Sequence, residues 1–142
     1  MFFQYETPRL LLKVLRADCA PQVLDFYNRD KELFEMYEID RVPDFYTVKH
    51  LQKVLRYEYN MAVKSQLFRF YVFQKENPCR IIGTVCIHNI APAFYGSCEI
   101  GYKFSSEFHH MGYATEAVGF CTKLAFLSLI HISEPTRQEA IS

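Results

Sequence analysis

The residues most suited to chemistry lie at positions 109–117, which read His-His-Met-Gly-Tyr-Ala-Thr-Glu-Ala. A strand-like run over 96–104 comes before them, and an apolar run with helical periodicity over 115–126 follows. A loop that enters a helix presents backbone N–H groups without a partner inside the helix, and the helix dipole gives them about half a unit of positive charge. Gly112 allows a ligand close to the backbone, and Ala114 is the next smallest residue type. This stretch therefore predicts a seat for phosphate.

Two other interpretations of this stretch compete with the phosphate seat. The stretch contains neither G-x-G-x-x-G nor Gly-Lys-Ser/Thr, and a single Gly before a helix is often only a turn residue. His109 and His110 are metal-ligand residue types, but two adjacent His without a third ligand nearby is poor zinc spacing. We therefore predict solvated loop histidines and no metal site.

The sequence motifs around Gly112 resemble those of a known family. Residues 99–102 (Glu-Ile-Gly-Tyr) and 109–117 together resemble the acetyl-CoA signature of the GNAT acetyltransferases. The similarity is greatest to the branch that includes the ribosomal-protein-alanine N-acetyltransferases. That branch often opens with Thr-x-Arg-Leu-x-Leu-Arg, and residues 7–13 read Thr-Pro-Arg-Leu-Leu-Leu-Lys. The resemblance covers nearly all of residues 5–126, about the first two-thirds of a family domain.

The resemblance implies acetyl-CoA as the cosubstrate. In the family, the loop reads Arg or Gln, two residues, Gly, one residue, then Gly or Ala, and its backbone amides hold the CoA pyrophosphate. The strand before the loop lines the pantetheine. Here His109 replaces the Arg or Gln, and the lost cationic side chain is expected to weaken CoA binding. The implied cofactor-binding residues are Ile100, Gly101, Tyr102, His109, His110, Met111, Gly112, Tyr113, Ala114 and Thr115.

The implied reaction is acetyl transfer to an amine, which needs few catalytic groups from the protein. An α-amine with a pKa near 8 is partly neutral at cell pH, so a modest base or a water chain suffices. The thioester carbonyl needs a donor for its developing oxyanion, and the family places a strand N–H there, here at positions 100–102. Glu99 is the candidate general base or water-orienting residue, because its strand faces the acetyl group in the family. A solvated strand carboxylate is an equal alternative.

Five other side chains have both a functional and a structural interpretation. Glu116 matches a recurrent family Glu, and we favour a role in stabilising the helix N-terminus and hydrogen-bonding the loop. Cys98 and Cys121 are nucleophile types without an evident His partner, which favours buried inert thiols. His88 and Asn89, at the end of a strand, would line an acceptor pocket or satisfy turn hydrogen bonds, and we favour the second.

The elements that must position these residues follow from the periodicity. We expect a strand over 7–15, a helix with Asp18 as its N-cap, a short helix over 31–37 and a helix from Thr47 to about 65. Strands over 68–75, 80–89 and 97–104 follow, with Gly83 marking a bulge or a close approach. Consecutive strands with short joins imply an antiparallel meander. The predicted fold class is α+β, a mixed, mainly antiparallel sheet flanked by helices.

Composition excludes several classes of protein. Half of the 142 residues are hydrophobic, enough for one domain that buries roughly two-thirds of its unfolded surface. The 16 basic and 16 acidic residues cancel, which argues against charge-driven binding to nucleic acid or membranes. The five cysteines are scattered without a C-x-x-C, as in a reducing compartment. There is no signal-peptide pattern and no apolar run of about 20 residues, so we expect a cytoplasmic soluble protein.

The end of the chain departs from the family pattern. Residues 127–137 (Leu-Ser-Leu-Ile-His-Ile-Ser-Glu-Pro-Thr-Arg) resemble a translated sequencing-library adapter. We therefore interpret 1–126 as a partial N-acetyltransferase domain and 127–142 as a non-native tail. The family pattern would continue with a parallel strand, a helix and closing strands, which complete the acceptor site. The alternative is that 127–132 extends the helix and Pro135 ends it.

Two classes of function remain open. The first is an N-acetyltransferase whose acceptor is a protein N-terminal α-amine of a ribosomal-protein-like partner, with a small amine or an antibiotic as the rival acceptor. The second is a truncated, catalytically inactive domain that binds CoA.

Overall fold

The computed structural model describes residues 2–36, 42–91 and 97–129. The strands are β1 (Gln4–Glu6), β2 (Leu10–Lys13), β3 (Phe68–Gln74), β4 (Asn77–Ala91) and β5 (Ser97–Phe104). The α-helices are α1 (Ala20–Arg29), α2 (Lys31–Glu35), α3 (Val48–Val63) and α4 (Tyr113–Leu124), and a π-helical turn, Ala125–Leu129, continues α4. Position 37 of the second predicted helix and the tail positions 130–142 lie outside the described residues.

The strands form one sheet in which each strand pairs with the next along the chain. The order is β1-β2-β3-β4-β5, and every neighbouring pair is antiparallel. The predicted meander and the α+β class are therefore confirmed, and β5 has the predicted bounds. Within the described residues β5 pairs only with β4 and lies at one edge of the sheet.

The first predicted strand is wrong in its bounds. Thr7 N–H donates to the Leu10 carbonyl at 3.0 Å, and Leu10 N–H donates to Thr7 Oγ1 at 3.2 Å. These two bonds make residues 7–9 the turn between β1 and β2, so that β2 begins only at Leu10. β1, with three residues, is too short to show a period-2 pattern and was not predicted.

The helices begin close to the predicted positions, with one error. Thr47 caps α3 as predicted, because its Oγ1 accepts a hydrogen bond from His50 N–H at 3.2 Å. Asp18 does not cap α1. It lies inside a 3₁₀ turn, Ala17–Cys19, in which Cys19 N–H bonds to Arg16 O, and Cys19 is the residue at the N-cap. No helix of the described residues is long and apolar enough to cross a membrane.

Both faces of the sheet are covered, so that it separates two apolar cores. In β3, Phe70 and Val72 belong to the core that includes α4, whereas Tyr71 and Phe73 belong to the core under α1, α2 and α3. A central strand that is buried on both faces shows no polar alternation, which explains the continuous apolar run of β3. The sheet thus holds α4 on the face opposite to α1–α3, and the buried side chains of β5 (Cys98, Ile100 and Phe104) belong to the core that includes α4.

Gly83 marks both the bulge and the close approach that the sequence predicted. The pairing of β3 with β4 shifts register where Val72 opposes Gly83 and Phe73 opposes Ile81. A Cβ at position 83 would overlap the ring of Phe104, the last residue of β5. Glycine therefore lets β5 end against β4, directly before the chain turns towards α4.

Replacing Gly83 with Ala is expected to lower the free energy of unfolding by about 1–3 kcal/mol, because the new methyl group displaces the buried Phe104 ring. Gly119→Ala is the matched control. Nothing lies within 4 Å of its Cβ position, and Ala stabilises a helix interior by up to about 1 kcal/mol over Gly. Urea unfolding measures both variants, and equal stability of the two would contradict this account of Gly83.

Candidate active site

The segment 109–115 consists of a loop over 109–112 and the first residues of α4, so a loop enters a helix here as predicted from the sequence. A short 3₁₀ helix, Ser106–Phe108, leads into it, and α4 then begins at Tyr113, two residues earlier than the apolar periodicity predicts. Gly112 has φ +80° and ψ 2°, a left-handed conformation that favours glycine, and His110 also has a positive φ of 65°. The two left-handed residues turn the chain sharply before the helix.

The backbone N–H groups of residues 110–115 are available to a ligand. Among the described residues, none of the amides from 110 to 115 donates a hydrogen bond, and the first bond of α4 runs from Glu116 N–H to Gly112 O at 3.0 Å. No side chain caps the helix. These donors lie at the positive end of a 12-residue helix, a position that suits an anion with several oxygens.

Glu116 ties the first turn of α4 to the turn before β2. Its Oε2 accepts hydrogen bonds from Thr7 Oγ1 at 2.5 Å and from Arg9 N–H at 2.9 Å, and its Oε1 accepts one from Arg9 Nε at 2.7 Å. Glu116 thus has a structural role, but its side chain bonds to the turn at residues 7–9 and not, as expected from the sequence, to the loop before α4. We refer to Thr7, Arg9 and Glu116 as the N-terminal clamp.

Arg9 reaches beyond Glu116 into the loop itself. Its Nη1 donates to Met111 O at 3.0 Å, and its guanidinium carbon lies 4.4 Å from the centre of the Tyr113 ring. A Cβ at Gly112 would come within 3.2 Å of Nη2. Arg9 thus places a cation beside the loop in which His109 stands at the family's Arg or Gln position. Sequence reasoning used Arg9 only as part of the strand motif, because nothing local links it to Glu116, which is 107 positions away.

A cavity connects the loop with β5. It has a volume of about 540 Å³, and its wall includes Phe34, Gly101, Tyr102, Lys103 and His109. The His109 ring is oriented by a hydrogen bond between Nε2 and Phe104 O at 2.9 Å. The structure therefore brings together Gly101, Tyr102 and His109 of the predicted cofactor residues. We refer to this space as the loop cavity.

A second cavity of about 350 Å³ adjoins the first, and Phe34, Gly101, Tyr102 and Lys103 line both. From these shared residues it extends away from the loop, and its other lining residues are Arg69, Thr84, Cys86 and His88. We refer to it as the His88 cavity. A molecule that reaches from the loop along β5 would meet, at positions 101–103, a second molecule that enters from the His88 side.

The remaining predicted site residues differ in how far their side chains are exposed to solvent. Ile100 buries its side chain in the core, with 3% exposed, so only its backbone can face a ligand. His110, Met111 and Thr115 are exposed, and Ala114 is half-buried against the core. Glu99 is exposed on β5 and is held by His88 Nε2 at 3.1 Å from its Oε2 and by a hydrogen bond from Asn89 Nδ2. His88 and Asn89 therefore bind Glu99 rather than the turn, and His88 also faces a cavity.

Arg69, which lines the His88 cavity, belongs to a buried ion pair. Glu58 of α3 accepts hydrogen bonds from Arg69 Nε at 2.7 Å and from Tyr71 Oη at 2.8 Å, and Arg69 Nη1 donates to Thr84 Oγ1 at 3.2 Å. Burial raises the pKa of the Glu58 carboxyl, while Arg69 and Tyr71 oppose the rise. Burial also lowers the pKa of Lys103 on the cavity wall to about 8. The network joins α3 to β3 and connects Arg69 to Thr84 of β4.

The thiols of Cys98 and Cys121 are shielded from reaction by burial. Burial raises the pKa of Cys98, and it raises the pKa of Cys121 to about 12, so both are the inert thiols that the sequence favours. In the described ranges no three His, Cys, Asp or Glu side chains are grouped as metal ligands.

Comparison with known proteins decides the family. Residues 9–139 match the family described as acetyltransferase (GNAT) domain. The chain belongs to the GNAT acetyltransferases. A curated relative in Bacillus subtilis (strain 168), called probable N-acetyltransferase YjcK, is 26% identical over 120 residues, which are 84% of this chain and 66% of that protein.

Solved structures share the fold of this GNAT chain. The ribosomal-protein-S5-alanine acetyltransferase from Vibrio fischeri has a TM-score of 0.80 at 22% identity, over 88% of this chain and 68% of that one. Mycobacterium smegmatis RimJ in complex with CoA-disulfide has a TM-score of 0.76 at 17% identity, over 87% of this chain and 58% of that one. The chain spans about two-thirds of the length of its curated relative.

The clamp makes the stability of this GNAT domain depend on pH. Burial raises the pKa of Glu116, but the hydrogen bonds from Thr7 and Arg9 lower it more, so the folded value lies below the ordinary 4.5. A lowered folded pKa means that the stabilisation is present above pH 4.5 and is lost as the pH falls through the folded value. Glu116→Gln is expected to lower the free energy of unfolding by about 1–3 kcal/mol at pH 7.

The difference between wild type and Glu116→Gln should shrink as the pH falls below 4.5, as measured by urea unfolding at several pH values. Glu32→Gln, an exposed carboxylate in the first turn of α2, is the matched control. A constant difference between wild type and Glu116→Gln across this range would contradict the clamp.

Proposed function

We propose that the chain binds acetyl-CoA and transfers its acetyl group to an amine. The observation that carries this proposal is the set of backbone amides from 110 to 115 that donate no hydrogen bond within the described chain, at the N-terminus of α4 in a GNAT domain. A diphosphate offers several oxygens to such donors. Gly112 supports the proposal because a side chain there would fill the approach beside Arg9.

The rest of acetyl-CoA would extend from the loop to β5. The loop cavity runs from His109 to Gly101 and Tyr102, which gives the pantetheine a path along the strand. The backbone of residues 100–102 is the proposed donor for the developing oxyanion. The acetyl group would then lie where the two cavities adjoin. Glu99 and His88, on the acceptor side of the acetyl group, would accept or relay the proton of the amine.

For the acceptor, we propose a protein N-terminal α-amine of ribosomal-protein-like type. This proposal rests on the fold likeness to the Vibrio fischeri acetyltransferase, which is described as acting on the alanine of ribosomal protein S5. The His88 cavity, which opens on the other side of positions 101–103, supports a site for the acceptor. A small amine is the rival acceptor, and a panel of acceptors separates the two.

A domain that binds CoA without turning it over is the second candidate. The position of β5 favours it, since no strand among the described residues pairs with the outer edge of β5, which would border the acetyl group. In this reading, residues 1–126 are a partial domain and 127–142 a tail foreign to it. We also propose a cytoplasmic site of action, because all five cysteines are free thiols.

Calorimetric titration of CoA and an acetyl-transfer assay with peptides that begin in Ala or Ser test the proposal. Gly112→Ala is expected to weaken CoA binding about tenfold, because the left-handed backbone is strained for Ala and the methyl group crowds Arg9. Binding of pantetheine, which lacks the diphosphate, should not change. Gly119→Ala on the same helix is the control and should bind CoA as wild type does.

The outcomes separate the candidates. CoA binding with acetyl transfer to peptides supports the acetyltransferase, and binding without transfer to any peptide or small amine supports the second candidate. Absence of CoA binding by the wild-type chain would contradict both.

A further inference from the structure

His88 and Glu99 form a cross-strand pair on one face of the sheet. They are register partners in β4 and β5, and their side chains meet with His88 Nε2 3.1 Å from Glu99 Oε2. Asn89 Nδ2 donates to the same carboxylate oxygen. Asn89 has a φ of +50°, in the left-handed region that Asn tolerates better than most residues, and the β4–β5 register becomes irregular after His88.

Of the two partners, the imidazole is the one that faces the cavity. His88 lines the His88 cavity together with Gly101 and Lys103. Glu99 is not among the described residues that line this cavity. His88 has 34% of its side chain exposed and Glu99 has 56%. The Glu99 carboxylate therefore lies on the far side of the His88 imidazole from the place where the two cavities meet.

We propose that His88 is the group that takes the proton from the acceptor amine, and that Glu99 is a positioning residue that acts through His88. This inference rests on the proposed acetyl transfer and deepens it. With Nε2–H donated to Glu99, the neutral imidazole has Nδ1 as its acceptor nitrogen. A carboxylate that fixes the tautomer and the ring orientation of a base, and stabilises the imidazolium that forms, has the role of the serine-protease triad Asp, with the two ring nitrogens exchanged.

The proton and bond changes balance in this scheme. The acceptor ammonium gives one proton to His88, and the neutral nitrogen forms a bond to the thioester carbonyl carbon. The carbon–sulfur bond breaks as the carbonyl re-forms, and the electron pair leaves on the CoA sulfur. The second proton of the nitrogen goes to that thiolate, which gives the amide and the CoA thiol, and imidazolium returns its proton to water.

Kinetics of the full chain test the assignment with purified variants. His88→Gln is expected to lower kcat by roughly 10²-fold or more, with the KM for acetyl-CoA unchanged, because a general base is lost and the cofactor contacts stay. Added imidazole should restore part of the activity of His88→Ala, which a structural role would not allow. His50→Gln, at the first turn of α3, is the matched control and should keep wild-type kcat.

Glu99→Gln separates a positioning role from a direct one. If Glu99 acts through His88, Glu99→Gln lowers kcat less than His88→Gln does, and the double variant is no slower than His88→Gln alone. A Glu99→Gln variant as slow as the double variant, with a mild His88→Gln variant, would overturn the assignment and make Glu99 the base.

A second measurement does not need turnover. Diethyl pyrocarbonate acylates neutral imidazole, and mass spectrometry gives the rate at each histidine, with His50 as the internal reference. Because the Glu99 carboxylate engages His88 Nε2, Glu99→Gln, which weakens this contact, is expected to raise the reaction rate at His88 several-fold and to leave the rate at His50 unchanged. An unchanged or lower rate at His88 would overturn the pair even in an active enzyme. A raised rate in a chain without transfer would leave the pair standing and refute the proposed function.

Discussion

The geometry of the candidate site depends on one carboxylate, that of Glu116. It accepts three hydrogen bonds from Thr7 and Arg9, and so fixes the first turn of α4 to the turn that precedes β2. Arg9 then holds the Met111 carbonyl and packs on Tyr113, so the same clamp sets the path of the loop. Because the side chains of the clamp satisfy one another, they leave the amides of the loop to a ligand. Charge-assisted hydrogen bonds of this kind are the stronger ones in proteins.

The sheet supplies the second constraint. Its two faces carry separate cores, and α4 and α1–α3 lie on opposite sides. The ends of the cores leave β5 partly uncovered, and the two adjoining cavities form there, against Phe34 of α2. Arg69 of the buried Glu58–Arg69 pair lines the His88 cavity, and Gly83 lets the end of β5 approach β4. The cavities are therefore a consequence of packing around the edge strand.

The sequence predicted the elements whose signals are local. Thr47 caps its helix, β5 has the expected bounds, and Gly83 lies at a bulge, because caps, alternation and glycine all act within a few residues. Asp18 fails as a cap since a 3₁₀ turn, set by the backbone, occupies the position. The loop before α4 is also a local feature, because a glycine and a helical period follow each other directly.

The contacts that organise the site could not be predicted in this way. Arg9 and Glu116 are far apart in sequence, and only the sheet and α4 bring them together. The sequence favours a turn role for His88, because the register that opposes it to Glu99 exists only in the folded sheet. The two-residue period of a strand does indicate that His88 shares a face with Thr84 and Cys86. This periodicity could have predicted that His88 lines a pocket together with them.

The central claim is that the amides of residues 110–115 are the diphosphate seat, and two-dimensional ¹H–¹⁵N NMR of the labelled chain tests it directly. Addition of CoA, and separately of inorganic pyrophosphate, should shift the amide resonances of these six positions, whereas pantetheine should leave them in place. Shifts confined to other parts of the chain, or equal shifts with pantetheine, would contradict the account.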